Sequence, residues 1–222
     1  MEIYDKAEQN DNKPILDEDI IVDKLKISLS ATNQARINNE NDIIYDLFNK
    51  QNLESMIHIS CGTLSETQKI LFNLTETIEN FKYFGCDLNK NLIEMCMARF
   101  KHVSHKWKFE NLNFIQQSLP DNYDLILSRM ALMYLSADKI FDTLNVIANT
   151  KQAKYFLTSI YNVNYNRNLD NGKFRRVNLL IHPFNLTKYV DIFQVNKNKM
   201  FILYDIPNYL SKIDFESIKN KL

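Results

Sequence analysis

Twice in its first half this chain repeats one pattern: a short apolar run ends in a small or polar turn, and helix-spaced apolar residues follow. The run at 55–60 (SMIHIS) ends in Cys61, Gly62 and Thr63, and 65–74 then resumes helical spacing. The run at 82–87 (KYFGCD) repeats this, with Asn89 as an N-cap for a helix carrying Leu92, Ile93, Met95, Cys96, Met97 and Phe100. Parallel neighbours need a crossover, so two βα units in succession predict a parallel sheet covered by helices.

The rest of the chain extends that reading. Strands are predicted at 112–115, at 123–128 (YDLILS), whose continuous apolar core suits burial on both faces, and at 154–160 (KYFLTSI). A helix is predicted over 137–149, with Ile140, Phe141, Leu144 and Ile147 on one side. The runs 192–195 and 200–206 have no helix between them and pair as an antiparallel hairpin ending the sheet. Before the first strand, residues 1–14 read as a flexible terminus. Two helices follow, one through Ile20, Ile21, Leu25 and Ile27, the other through Ile43, Ile44, Leu47 and Phe48 with Asn41 and Asp42 as cap residues. Residues 15–222 are expected to form one domain. The stretch 161–189 lacks this grammar and is too long for an ordinary connection, which marks it as a candidate substrate loop or lid.

Charge and cysteine usage exclude several classes. Lysine plus arginine and aspartate plus glutamate each number 27, so no global field favours nucleic acid or an anionic membrane. Cys61, Cys86 and Cys96 show neither paired spacing nor a Cys/His cluster, so no disulfide framework and no metal site is expected. A charged amino terminus and the lack of any bilayer-length apolar run point to a cytoplasmic protein with reduced thiols. Glycine occurs only at 62, 85 and 172, so each is a candidate for a backbone position where a side chain does not fit.

In an open α/β sheet the ligand crevice lies beyond the carboxyl ends of the central strands, where strand order reverses. Three strand ends would meet there. Gly62 lets backbone approach a ligand, and the helix after it offers free amides. Asp87 ends its strand where a carboxylate accepts both hydroxyls of a ribose. The turn Gln116, Gln117, Ser118 can hydrogen-bond a purine edge, with the corner Ser128, Arg129, Met130 beside it. Singly, Gly62 reads equally as a turn glycine and Asp87 as a helix cap; their order and spacing outline a nucleoside-shaped site.

The segments His58-Ile59-Ser60-Cys61-Gly62-Thr63, Phe84-Gly85-Cys86-Asp87 and Tyr123-Asp124-Leu125-Ile126-Leu127 resemble, in order, those of class I methyltransferases. Gly172, Phe174, Arg175, Asn178-Leu179 and Pro183-Phe184-Asn185-Leu186 are similar to the segment after the fifth strand in a group of small methyltransferase-like proteins. The resemblance implies a Rossmann-like α/β fold with a seven-stranded, mostly parallel sheet and S-adenosylmethionine as cofactor. It implies a cofactor set of Ser60, Cys61 and Gly62 near the methionine part, Asp87 on the ribose, Gln117 or Ser118 near the adenine, and Leu88 and Arg129 beside them. Methyl transfer to a small-molecule acceptor is the implied activity.

The departures from the family support an alternative, an inactive methyltransferase-like partner or regulatory subunit. His58 stands where an acidic residue is usual, Ser60 and Leu64 replace turn glycines, Ser118 replaces an acidic adenine-side residue, and Met130 and Tyr134 replace Asp and His. His58 itself reads as a strand residue with a satisfied ring. A dinucleotide-binding protein is a third reading, disfavoured because the turn lacks the repeated glycines that pyrophosphate requires. On the acceptor side, Arg167, Lys173, Arg175 and Arg176 form a candidate clamp for an anionic substrate. Tyr134, Tyr161, Arg175 and His182 are the candidate substrate residues. Trp107, amid His102, His105 and Lys108, reads as a half-buried residue in a helix-to-strand connection rather than a nucleic-acid surface.

Overall fold

The computed structural model describes residues 31–221, with side chains from residue 35. The terminus at 1–14 and the helix through Ile20 and Ile27 lie outside the described residues.

The first described element, α1 (Ala31–Gln51), begins ten residues before the expected cap. Asn41 and Asp42 therefore sit inside it and cap nothing. Its buried stripe runs through Ile37, Glu40, Asn41, Ile44, Leu47 and Phe48, a helical spacing that two polar residues interrupt. Those two polar positions are why the sequence reads as exposed there.

From α1 the chain enters β1 (Ser55–Ile59), then α2 (Gln68–Thr77), β2 (Lys82–Asp87) and α3 (Lys90–Arg99). The Asn89 side chain caps α3 as expected, accepting from the Asn91 amide at 3.0 Å. The next strand, β3, is Trp107–Asn111 and not 112–115. Residues 112–117 curl instead: the Gln116 and Gln117 amides donate to the Asn113 carbonyl, and the Asn113 side chain accepts from Ile115. Trp107 is a buried strand residue, its indole N–H donating to Thr75 Oγ1 at 2.9 Å and its ring packed against Phe72 and Phe100.

After β3 come β4 (Leu125–Ser128), a 3-10 turn at Ala131–Tyr134, α4 (Ala137–Ala148) and β5 (Tyr155–Tyr161). The chain then passes through β6 (Asp191–Gln194) and β7 (Lys199–Asp205) to a short α5 (Phe215–Lys219). The seven strands lie in the order β3-β2-β1-β4-β5-β7-β6. Those from β1 to β5 are parallel, and β7 runs antiparallel to both β5 and β6. Strand order reverses between β1 and β4, which puts the crevice beyond their carboxyl ends.

Each sheet face carries its own core. Ile57, Ile59, Ile126, Phe156 and Ile160 pack with α4 and with Val177, Leu179, Phe184 and Leu186. Met56, Leu125, Leu127, Leu157 and Phe201 pack under α1, α2 and α3. Each such Leu, Ile or Phe contributes about 1.5–3 kcal/mol by leaving water. Apart from Tyr161, which ends β5, the stretch 161–189 forms neither helix nor strand, yet it is pinned along its length. Tyr161 N donates to Val177 O at 2.8 Å, Leu186 N to Leu179 O at 2.8 Å, and Tyr204 Oη to Leu186 O at 3.1 Å.

Candidate functional site

The turn after β1 is held in a left-handed conformation at alternate residues: φ is 54° at Ser60, 57° at Gly62 and 60° at Leu64. Two of these positions carry side chains, where the left-handed region costs about 1–2 kcal/mol per residue. The surroundings make up that cost at Leu64, whose side chain is buried in the core. A Cβ on Gly62 would meet nothing within 4 Å, so the turn presents an open face at that residue. Its amide donates to Asp87 Oδ2 at 3.0 Å, and Asp87 Oδ1 accepts from the Asn89 amide at 2.9 Å. The carboxylate at the end of β2 is thus aimed by the turn after β1, and each oxygen keeps a further lone pair.

On β1 itself, His58 places a neutral ring in the core. It is buried on β1, and its Nδ1 lies 3.3 Å from the Tyr83 hydroxyl on β2. Burial first, and then the nearby Arg129 charge, hold its pKa down at about 3, so the ring is uncharged at neutral pH. Gly85 makes room for this contact: a Cβ there would stand 2.8 Å from the Tyr83 hydroxyl and 3.0 Å from the Phe109 ring.

Arg129, at the carboxyl end of β4, is buried and engaged by its own chain. One guanidinium nitrogen donates to the Glu66 carbonyl and to Thr67 Oγ1, both at 3.1 Å, and the other pairs with Glu40 of α1. Glu40 also takes Lys199 Nζ at 2.7 Å and Arg36 at 2.9 Å. Burial acts to raise the Glu40 pKa, but the three cations outweigh it and hold the carboxyl far below the ordinary range. Glu40 is shared among three cations, and the partly exposed Glu66 reaches Arg36 and Arg129 only, so Lys199 is under-compensated. Its burial, joined by repulsion from Arg36 and Arg129, brings its pKa down to about 8 despite Glu40. Both partners thus shift downward, Glu40 because three cations face it and Lys199 because burial and two neighbouring cations outweigh its one carboxylate.

The sequence-predicted residues fall into three sets. Ser60, Cys61, Gly62 and Asp87 meet at the turn, with Leu88 beside them and 48% exposed. Gln117 and Ser118 are exposed and curl away. Gln117 Oε1 accepts from the Asn113 amide, while Ser118 borders a groove with Asn149 and Lys151 near the carboxyl terminus of α4. Of the expected substrate residues, Tyr134 and Tyr161 flank Phe174, at ring distances of 5.6 and 6.4 Å. Arg175 is buried, its guanidinium donating to Leu169 O at 3.0 Å, and burial lowers its pKa. His182 is exposed, and its carbonyl accepts from Asn166. Sequence reasoning missed Glu40, Thr67 and Lys199. The only local signal for Glu40 was its four-residue spacing from Arg36.

No family model and no curated protein matches this chain. Solved structures do. The chain is similar to a S-adenosylmethionine-dependent methyltransferase from Clostridium acetobutylicum, at 12% identity and a TM-score of 0.59 over 85% of this chain and 97% of that one. It is similar to the O-methyltransferase of a trans-AT PKS multienzyme of Brevibacillus brevis, solved with S-adenosyl-L-homocysteine, at 12% identity and a TM-score of 0.60 over 89% and 79%. A SAM-dependent methyltransferase from Aquifex aeolicus matches at 14% identity and 0.57 over 83% and 97%. Identities this low leave the likeness in the backbone, and the seven-stranded, mostly parallel sheet with its antiparallel carboxyl-terminal pair fits it: the chain has the Rossmann-like fold of the class I methyltransferases.

Proposed function

We propose that this chain binds S-adenosylmethionine across the carboxyl ends of β1 and β2 and transfers its methyl group to a small-molecule acceptor. The observation that carries the reading is the Gly62 to Asp87 hydrogen bond, which couples an open-faced turn to a carboxylate suited to a ribose diol. The residues fit that ligand: Gly62 leaves space where a side chain would stand, Asp87 has acceptor capacity left, and Leu88 is an exposed apolar neighbour for a base. When bound, the cofactor supplies an electrophilic methyl on a sulfonium. The chain's own part is to position the acceptor in line and keep water out, which can supply a large share of a rate. Tyr134, Tyr161 and Phe174 form the apolar wall on the acceptor side. Arg175 gives one guanidinium nitrogen to Leu169 O and keeps the other buried without a hydrogen-bond partner, so it is the candidate for recognising an anionic acceptor, with Arg176 next to it in the chain.

A second reading, a non-catalytic methyltransferase-like partner, is favoured by one observation: Arg129 is occupied by Glu40 rather than facing an open crevice. Calorimetric titration with S-adenosylmethionine and with S-adenosylhomocysteine tests the first reading. Micromolar binding is expected, with Asp87→Ala weaker by about tenfold or more, equivalent to about 1.4 kcal/mol. Absence of binding by both ligands overturns the cofactor assignment and favours the partner reading.

A further inference from the structure

The three cysteines, scattered along the sequence, converge on the turn after β1. Cys61 lies in it, and its amide donates to the Cys86 carbonyl at 3.0 Å. Cys96, from α3, donates its thiol to the Gly62 carbonyl at 3.2 Å. The Cys61 thiol reaches the same oxygen at 3.7 Å. Two sulfurs from different elements therefore meet over one carbonyl oxygen. All three cysteines are free and buried. Thiols are weak donors, so this arrangement holds the turn less firmly than hydroxyls would.

From this juxtaposition we infer that Cys61 and Cys96 form an oxidisable dithiol, which peroxide closes to a disulfide that ties the turn to α3 and withdraws the Gly62 face from ligand. The crosslink stands on the geometry alone; its effect on ligand rests on the cofactor reading above. Cys96 reacts first. The adjacent Cys61 thiol, helped by the Arg99 charge, draws the Cys96 pKa down, while the contact with Cys96, together with burial, pushes Cys61 up. The reactive species is the thiolate, so Cys96 is the nucleophile and Cys61 the resolving thiol.

The Cys96 thiolate attacks one peroxide oxygen. A sulfur–oxygen bond forms as the oxygen–oxygen bond breaks, and the departing hydroxide takes up the proton that Cys96 released, giving water. Cys96 is now a sulfenic acid, the first and reversible rung of cysteine oxidation. The Cys61 sulfur then displaces that hydroxyl: the sulfur–sulfur bond forms, the sulfur–oxygen bond breaks, and the hydroxyl leaves with the Cys61 proton as a second water. Two thiols and one peroxide thus yield one disulfide and two waters. Cys86 stays out of the reaction, its thiol pushed far up by burial and then by the Asp87 charge.

The test treats the full-length protein with hydrogen peroxide, then measures intact mass, maps disulfides in a non-reducing digest and titrates S-adenosylhomocysteine before and after dithiothreitol. The expected result is a mass lower by about 2 Da, one Cys61–Cys96 crosslinked peptide, and an affinity about tenfold weaker or more that reduction restores. Cys96→Ser, or Cys96→Ala if the first does not fold, should show no change in affinity on peroxide treatment relative to its own untreated form. A Cys61–Cys86 link, an intermolecular link, over-oxidation without a link, or no reaction overturns the dithiol. A correct link with unchanged affinity overturns the gating. If the reduced protein binds no S-adenosylhomocysteine, the cofactor reading fails and with it the gating, while the mass map still decides the dithiol.

Discussion

Replacing Glu40 by glutamine tests how α1 is held on the sheet. The carboxylate is fully buried and pairs with Arg129, Lys199 and Arg36. The glutamine keeps the volume and removes the charge, leaving Arg129 and Lys199 with side-chain exposures of 5% and 2%. The remaining carboxylate is Glu66, 3.6 Å from Arg129 and 30% exposed. Breaking a buried ionic set from one side costs about 3–5 kcal/mol, a large part of the ~5–15 kcal/mol that holds a typical domain together. In a chain of this size that lowers the melting temperature by roughly 6–20 °C. Urea unfolding followed by circular dichroism measures it. Replacing Glu40, Arg129 and Lys199 together by methionine should recover most of the loss, because an apolar set of similar volume needs no counter-charge. The folded Glu40 pKa lies far below the unfolded value, so its contribution is present above the ordinary carboxylate range and lost only as pH falls through that low value. Glu40 itself adds no slope above the ordinary carboxylate range, but in Glu40→Gln the buried Lys199 loses the carboxylate that raises its pKa and sheds its proton at lower pH than in wild type, so the gap should narrow as pH rises towards 8. A gap below about 1 kcal/mol would refute the reasoning, since that is the worth of a solvated pair.

Three further perturbations separate strain from charge. His58 has a folded pKa of about 3 against 6.5 unfolded, so the unfolded chain binds the extra proton and stability falls as pH drops from 6.5 towards 3. At about 1.4 kcal/mol per unit this is a loss of a few kcal/mol, and acid titration of His58→Leu should show a shallower limb; an unchanged limb would assign acid sensitivity elsewhere. Ser60→Gly removes a left-handed Cβ at a cost of about 0.5–1 kcal/mol in chain entropy, so it should stabilise by up to about 1 kcal/mol. Leu64→Gly relieves the same strain but empties a buried site, and should cost about 2 kcal/mol or more in the same urea assay. Equal signs for the two would contradict the strain reading.

Most of the parallel sheet was legible because its strands are buried on both faces and end in turn residues. The runs 55–60, 82–87, 123–128 and 154–160 correspond to β1, β2, β4 and β5 within a residue or two, and the reversed hairpin is β6 with β7. Strand β3 escaped because it is an edge strand. Lys108, Glu110 and Asn111 are exposed, leaving Trp107 and the half-buried Phe109 as its apolar signal, whereas Leu112 and Phe114 are buried in a curl that makes no ladder. The early start of α1 escaped for a related reason: its first turns are polar, and Glu40 in the stripe looks like a residue for solvent.

The site divides along the same line. Gly62, Asp87 and Asn89 are legible because each acts within the first two βα units, at a strand end or helix start whose spacing the sequence displays. Glu40 and Lys199 are not, because their pairing joins residues 159 positions apart and neither has a local pattern. What the departures from family pattern mean also turns on such distant contacts. Ser60 and Leu64 look like lost glycines, yet both keep a left-handed backbone, so the turn retains its shape without the residue that makes it easy. His58 looks like a lost charge, yet Glu40 supplies a carboxylate to Arg129 from α1. The substitutions at Ser60, Leu64 and His58 thus leave the turn in its left-handed conformation and Arg129 paired with a carboxylate.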